Sequence, residues 1–158
     1  MRNKITQQNL TFATFLQNQI IQTNNVQNAF NLVKCIRGIG DKVAPFYLRD
    51  LVDAMNITLN NTENRHLLQP IDIWVERTVK ILVDNQTMNR NQVATWIVST
   101  SRQYNMNPER INMGIWFFCS NIVGSEYRLR SNALNDLNIA QNLANDFRVK
   151  IKNICNNC

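Results

Sequence analysis

The chain has 158 residues, of which 44% are hydrophobic and 18% are charged, and its formal net charge is +6. This length suits one packed domain, and the hydrophobic content is too high for a disordered chain. The positive charge favours nucleic acid or another polyanion as a partner. No apolar run is long enough to span a membrane. The N-terminal basic residues are not followed by an apolar stretch, so they do not form a secretion signal. We therefore expect an intracellular protein without a membrane partner.

Apolar residues recur at helical spacing along the whole chain, whereas glycine (4 residues) and proline (3 residues) are scarce. Helices are predicted over residues 6–21, 26–35, 41–55, 70–83, 89–104, 107–123 and 125–154, with a polar loop over residues 56–69. The sequence thus predicts an all-α fold, a compact array of about seven helices in a single domain covering residues 1–158. In the helix over 41–55 the inward side is predicted to carry Val43, Phe46, Tyr47, Leu51 and Val52, with Arg49 on or near the solvated side.

The segment from Val33 to Leu48 contains the most informative pattern, because two predicted helices meet there at the short turn Gly38-Ile39-Gly40. Gly38 permits a backbone turn that a side chain would obstruct, and Gly40 permits close approach of a partner. Ile39 is predicted to pin the turn to the core. The free amides at the start of the next helix attract an anion, most naturally a phosphate. This spacing is similar to the helix-hairpin-helix motif, and the competing interpretation is an ordinary tight turn between core helices.

Lys42 lies in the first turn after the glycines. The positive end of the helix and the nearby Arg37 would disfavour its charged form, and partial burial would add to this. A lysine held partly neutral is a nucleophile that can form a Schiff base. For this residue alone, a solvated lysine that contacts phosphate is the preferred interpretation.

Asp72 follows Pro70 and Ile71 at a predicted helix start, where aspartate is a favoured N-cap. A carboxylate fixed by helix amides stays ionised at neutral pH. It could therefore also stabilise a cationic sugar in the transition state of glycosidic bond cleavage.

Taken together, these residues resemble the helix-hairpin-helix DNA glycosylase superfamily, which includes endonuclease-III-like enzymes and 8-oxoguanine glycosylases. The resemblance covers roughly residues 26–84. The matching residues are Gly38, Gly40, Lys42, Ala44, Pro70, Asp72, Val75 and Arg77.

The resemblance implies a bifunctional DNA glycosylase and AP lyase that acts on an oxidised base, such as 8-oxoguanine, in double-stranded DNA. Lys42 would attack the sugar C1′, and Asp72 would stabilise the sugar cation and manage the lysine proton. The phosphate-binding residues would be Arg37, Gly38, Ile39 and Gly40, with the amides of Ile39 and Gly40 holding the phosphate. A monovalent cation could bind the hairpin carbonyls.

The sequence departs from the family pattern in several places. Lys42 and Asp72 are 30 positions apart (72 − 42), a long interval that is similar to the archaeal 8-oxoguanine branch. Trp74 stands where endonuclease-III-like members have histidine, and only about 32 residues precede the hairpin, which would omit most of the family's N-terminal helical region. The cysteines do not match the family's iron–sulfur pattern, so no such cluster is expected.

Aromatic residues supply candidates for a pocket that receives a flipped base, namely Trp74 and Phe117. Aromatic residues at helical spacing are nevertheless more often core residues. Arg128, Arg130, Lys150 and Lys152 could form a second basic surface, although a solvated helix face is the preferred interpretation.

Among the cysteines, Cys35 and Cys119 are expected to be buried thiols. Cys155 and Cys158 have the spacing of half a metal site, but a complete set of ligands is not expected.

The sequence therefore predicts a base-excision enzyme. A non-catalytic DNA-binding module that uses the same hairpin is the first alternative, and a helical protein-interaction domain is the second. The sequence identifies neither the damaged base nor the oligomeric state.

Overall fold

The structure is a computed structural model of the chain, and it describes residues 11–59, 62–125, 129 and 136–156. Over these residues it contains seven α-helices, a 3₁₀ turn and a π-helical segment. Pairing between extended residues is limited, in the same part of the chain, to an isolated bridge between Asn25 and Glu63. The prediction of an all-α fold with about seven helices is confirmed for the described residues.

The elements follow one another with short connections. They are α1 (Phe12–Thr23), α2 (Gln27–Lys34), α3 (Val43–Ala54), the 3₁₀ turn (Arg65–Leu68), α4 (Ile73–Leu82), α5 (Arg90–Gln103), α6 (Pro108–Phe117), the π-helical segment (Phe118–Val123) and α7 (Leu137–Asn156). The helix predicted over 107–123 changes to π-helical hydrogen bonding at Phe118. Parts of the first and last predicted helices lie outside the described residues, as do Arg128, Arg130 and Cys158.

Polar side chains explain where several helices begin. The hydroxyl of Thr11 accepts a hydrogen bond from the Thr14 N–H (3.1 Å) at the start of α1. At the start of α5, Asn89 and Gln92 each accept from the other's backbone N–H, at 3.0 and 2.8 Å. This reciprocal arrangement is a capping box, which satisfies two amides that the helix leaves without partners.

Asparagine is abundant, with 26 residues in the chain, and the structure gives part of this content a role. Asn24, Asn56, Asn64 and Asn105 adopt left-handed backbone conformations, with φ between 50° and 55°. Asparagine tolerates this conformation better than most side chains do, so it suits helix ends and turns.

The chain divides into two compact units. The first comprises Met1–Pro70 and Ala94–Glu109. Within it, α1, α2 and α3 contact one another, and α3 also contacts the 3₁₀ turn. Its buried core includes Leu16, Ile20, Val26, Val33, Leu48 and Leu68.

The second unit comprises Ile71–Val93 and Arg110–Cys158. Its π-helical segment contacts both α4 and α7. Cys119, Val123 and Leu129 are buried there, and half-buried apolar side chains from α4, α6 and α7 pack against them. That the two units fold together as one domain stays a prediction.

The predicted inward face of α3 is wrong in part. The buried set on the core face is Ala44, Leu48, Leu51 and Val52, with Pro45 buried beside it, whereas Val43 and Tyr47 are 47% and 38% exposed. The buried set follows the i, i+4, i+7, i+8 spacing of one helix face. Because apolar residues surround much of this helix, their periodicity does not determine which face points to the core, and the predicted face is displaced by about one residue.

Three further expectations about burial are corrected. Arg49 is buried. Its guanidinium donates to the Asp50 carboxylate at 3.0 and 2.9 Å and lies 5.0 Å from the centre of the Phe46 ring. Cys35 is exposed because it follows the last residue of α2. Lys42 is exposed as well, whereas Cys119 is buried as predicted.

Candidate nucleic-acid interface and catalytic residues

The turn between α2 and α3 is built by backbone hydrogen bonds around the two glycines. The Ile36 N–H donates to the Val33 carbonyl (3.1 Å), and the Ile39 N–H donates to the Ile36 carbonyl (3.0 Å). Gly38 has φ +90°, a conformation that side chains disfavour. Ile39 is half-buried and packs against the core of the first unit, which confirms its predicted role as an anchor.

Backbone amides are left free on the outer side of this turn. The Val43 and Ala44 N–H groups both donate to the Gly40 carbonyl, each at 3.1 Å. In the described part of the chain, the N–H groups of Gly40, Asp41 and Lys42 donate to no acceptor. The Ile39 N–H, which the resemblance assigns to a phosphate, is engaged with the Ile36 carbonyl instead, so that part of the prediction is corrected. Consecutive free amides ahead of a helix form a concavity that suits an anion.

Gly40 is not required by the packing of the chain. Its φ lies outside the left-handed region, and a Cβ placed on it would meet no atom within 4 Å. A glycine that internal sterics do not explain is consistent with close approach by something outside the chain.

The same turn carries exposed cations. Arg37 and Lys42 are both exposed, and neither forms an ion pair with any described residue. Lys34 forms an ion pair with Asp41 across the turn, and its amine lies 5.6 Å from the centre of the Phe30 ring. The turn therefore presents two unpaired positive charges beside the free amides.

Asp72 is the N-cap of α4 in the second unit. Its Oδ1 accepts a hydrogen bond from the Val75 N–H at 2.9 Å, and the residue is half-buried. The predicted capping role is therefore confirmed, while a role in chemistry stays a prediction.

A buried thiol lies near Asp72. Burial raises the pKa of Cys119, its contact with the Thr78 hydroxyl (3.1 Å) acts in the opposite direction, and the negative charge of Asp72 raises the pKa further. The thiol therefore stays protonated at neutral pH and is a poor nucleophile.

Elsewhere in the second unit, Glu76 on α4 is held by two cations. Lys80 donates to it at 2.7 Å and Arg90 donates to it at 3.1 Å. The hydrogen bond from Lys80 is the main cause that lowers the pKa of Glu76, against an opposing effect of partial burial. Through its bond from Arg90, Glu76 links α4 to the first residue of α5, so its role is structural.

The two predicted pocket residues lie in different settings within the second unit. Trp74 is half-buried and packs against the core of that unit. Phe117 is 43% exposed and meets Phe147 edge to face, with ring centres 5.5 Å apart. Phe117 lines an open groove of about 780 Å³ to which Trp74 does not contribute.

The predicted site residues are divided between the two units. Arg37, Gly38, Ile39, Gly40 and Lys42 share one turn of the first unit. Asp72, Trp74 and Phe117 belong to the second unit. Convergence of the Lys42 amine and the Asp72 carboxylate on one substrate stays a prediction.

Sequence reasoning missed the groove residues Phe147 and Arg148. The available signal was the i, i+4 spacing of Arg148 and Lys152, which places both cations on one helix face. That signal was weak because such a face is usually only solvated.

The described residues show neither a metal centre nor a membrane-spanning helix. They contain no cluster of three or more His, Cys, Asp or Glu side chains placed to hold a metal ion. None of the helices over the same residues is long and apolar enough to cross a membrane. A monovalent cation at the hairpin stays a prediction.

Comparison with known proteins gives limited information. No family model matches the chain, and no solved structure matches it. The chain is similar to an uncharacterized protein of Methanocaldococcus jannaschii, with 33% identity over 78 residues. The match covers 49% of this chain and 18% of that protein, so it assigns no family.

Proposed function

We propose that this protein is a DNA glycosylase with AP-lyase activity, which binds the backbone of damaged duplex DNA through a helix-hairpin-helix over residues 33–48. The observation that carries the proposal is the set of free amides at Gly40, Asp41 and Lys42. These amides lie next to an exposed lysine in the same turn. A phosphate held by the amides would bring the sugar of a neighbouring nucleotide within reach of that lysine.

Electrostatics support a polyanionic partner at this turn. The unpaired cations Arg37 and Lys42 add to the partial positive charge at the start of α3. Phosphate contacts of this kind supply sequence-independent affinity, as a repair enzyme needs while it searches undamaged DNA.

In the proposed reaction, the Lys42 amine attacks C1′ of the damaged nucleotide once it has lost its proton. The base leaves with the electron pair of the glycosidic bond and takes up a proton. The covalent sugar–lysine adduct rearranges to a Schiff base, and β-elimination then breaks the strand on the 3′ side. Water finally hydrolyses the Schiff base and releases the lysine.

Asp72 is proposed to stabilise the positive charge that develops on the sugar. One oxygen of its carboxylate caps α4 by accepting the 2.9 Å hydrogen bond from the Val75 N–H, so the second oxygen can serve this role. Because Asp72 lies in the other unit, its role is tested separately from that of Lys42.

Borohydride trapping tests the nucleophile. The parent protein is expected to form a covalent complex with duplex DNA that contains 8-oxoguanine or an abasic site, and Lys42→Gln is expected to abolish it. Lys34→Gln, which removes another lysine at the same turn, should still trap. If Lys42→Gln traps as well as the parent does, the nucleophile is assigned wrongly.

The role of Asp72 is tested by a substitution that preserves the cap. Asparagine caps helices about as well as aspartate does, so Asp72→Asn should leave the free energy of unfolding nearly unchanged. Excision should nevertheless fall by about 100-fold or more, in line with the loss of one charge-stabilising group at a reacting centre. Unchanged excision by Asp72→Asn would leave Asp72 as a cap alone.

A non-catalytic DNA-binding module is the second candidate. The observation that favours it is the solvent exposure of Lys42, because an exposed lysine beside free backbone amides suits a direct contact with a phosphate. Salt-dependent duplex binding without covalent trapping or strand cleavage would establish this alternative.

A further inference from the structure

We propose that the groove on the second unit binds an unstacked stretch of DNA strand, with bases against Phe117 and Phe147 and phosphates against Arg148 and Lys152. The choice of DNA over RNA rests on the proposed function, whereas strand binding itself rests on the groove. The groove and the hairpin belong to different units and can be removed by separate variants.

The groove has a size and a lining that suit a base. Its volume of about 780 Å³ falls within the range typical of ligand sites, roughly 300–1,000 Å³. Its apolar lining comes from Phe117, Ile122, Ala144, Phe147 and Val149, and Phe117 is 43% exposed. Aromatic surface left in contact with water in this way is a platform on which unstacked bases can stack.

The π-helical segment shapes this lining. In an α-helix, residues five positions apart point about 140° away from each other. Phe117 ends α6 and Ile122 lies in the π-helical segment, yet both line the groove. The wider i→i+5 turn, seen in the 3.0 Å bond from the Gly124 N–H to the Cys119 carbonyl, accounts for this shared face. Such segments are rare and occur frequently at functional sites.

The charge of the groove selects an anionic occupant. Arg148 and Lys152 both line it, are exposed, and form no ion pair with a described residue. No acidic side chain is among the described residues that line the groove, while Asn145 offers an amide that can hydrogen-bond a base edge. Apolar rings flanked by cations match a nucleic acid strand, which presents bases and phosphates at alternating positions. A second copy of the same groove would bring like charges together and is disfavoured.

Binding of a fluorescein-labelled dT10 strand, measured by anisotropy at several salt concentrations, tests whether the groove binds a DNA strand. The double variant Arg148→Gln/Lys152→Gln is expected to raise the Kd at least about tenfold. It should also lower the slope of log K against log salt by about 1.4, which corresponds to two lost contacts with single-stranded phosphates. Lys150→Gln is the matched control, because Lys150 is exposed on the same helix but does not line the groove.

Stacking is tested by Phe117→Ala, which is expected to raise the Kd about fivefold or more. Trp116→Ala is its control, since Trp116 is 41% exposed and lies outside the groove. Phe117→Ala should raise the Kd for dT10 by the same factor in the Lys42→Gln background as in the parent, so the groove and the proposed excision can fail independently.

Several outcomes would overturn the proposal. One is equal weakening by Lys150→Gln, which would indicate unspecific charge attraction. Others are unchanged binding by the double variant, tighter binding of rU10 than of dT10, or a dimer in solution that the groove variants dissociate.

Discussion

Two regions of the first unit use charged and polar groups in opposite ways. In the first, the Arg65 guanidinium donates to both oxygens of Glu109, at 2.9 and 2.6 Å, and to the Leu59 carbonyl at 3.1 Å. Gln69 adds a 3.1 Å bond to the same carboxylate, and the side chains of Arg65 and Glu109 are only 10% and 5% exposed. In the second, the hairpin turn over residues 36–42, the cations Arg37 and Lys42 are exposed and the amides of residues 40–42 are free.

The buried cluster uses its polar groups to stabilise the fold, whereas the hairpin turn leaves its polar groups available to a partner. Nearly every polar group of the Arg65–Glu109–Gln69 cluster is used inside the chain; the exception among the described atoms is the Gln69 amide oxygen, which is buried without a partner. A buried charge that loses its partner is costly, so this cluster constrains the fold. The hairpin turn has unused donors and cations, which are available to a partner.

The largest expected effect comes from breaking the buried cluster. Glu109→Ala leaves the Arg65 charge buried without a carboxylate, and the free energy of unfolding should fall by about 3–5 kcal/mol. Urea denaturation followed by circular dichroism measures this change. The control is Glu63→Ala, which removes an exposed carboxylate that accepts one bond from Asn25 (2.9 Å) and should cost less than about 1 kcal/mol.

A charge-free replacement sharpens this result. Arg65→Met combined with Glu109→Leu removes both charges and should recover most of the stability lost by Glu109→Ala. If the double variant is no more stable than Glu109→Ala, packing rather than an uncompensated charge explains the loss.

The cluster and the hairpin also differ in how well the sequence predicted them. The turn between α2 and α3 follows from local signals, since Gly38 with Ile39 and Gly40 between two apolar periodicities specify a turn and its anchor. The cap at Asp72 is equally local. Arg65 and Glu109 lie 44 positions apart, and neither residue carries a local sign of its partner.

Errors in predicted burial have the same physical origin. Helical periodicity establishes that α3 is amphipathic, but its rotation depends on which neighbours pack against it, and these are set by tertiary structure. Val43 and Tyr47 were therefore placed inward and Arg49 outward, against the structure. The change to π-helical bonding at Phe118 likewise has no sequence signature, so the groove beside it was not predicted.

A smaller effect is expected at the hairpin glycines. Gly38→Ala forces a side chain into φ +90° and should cost about 1–2 kcal/mol of unfolding free energy, by strain alone, because the added Cβ meets no atom within 4 Å. Gly40→Ala is the matched control and should change stability by less than about 0.5 kcal/mol. Equal losses at the two positions would mean that Gly40 also serves the fold. Under the proposed function, duplex DNA binding should be weakened by Gly40→Ala even though its stability is kept.

The smallest effect on stability should accompany a gain in binding. Asp41 is paired with Lys34, and its side chain is 82% exposed, so Asp41→Asn should cost at most about 1 kcal/mol. The same carboxylate lies beside the free amides and would repel a bound phosphate. At about 7 Å in water, one unit charge repels another by about 0.6 kcal/mol, so Asp41→Asn should tighten duplex binding roughly threefold at low salt.

Asp50→Asn provides the control for net charge. It removes the same charge from the same unit, but Asp50 lies nine residues further along the chain, about 13 Å at the rise of an α-helix, and is engaged with Arg49. Anisotropy with a labelled duplex should therefore show tighter binding for Asp41→Asn and a smaller change for Asp50→Asn. A phosphate bound to the amides must respond most strongly to the nearest carboxylate. Equal tightening by the two variants would therefore mean that overall charge causes the effect, and it would contradict the proposal that the hairpin turn is the binding surface.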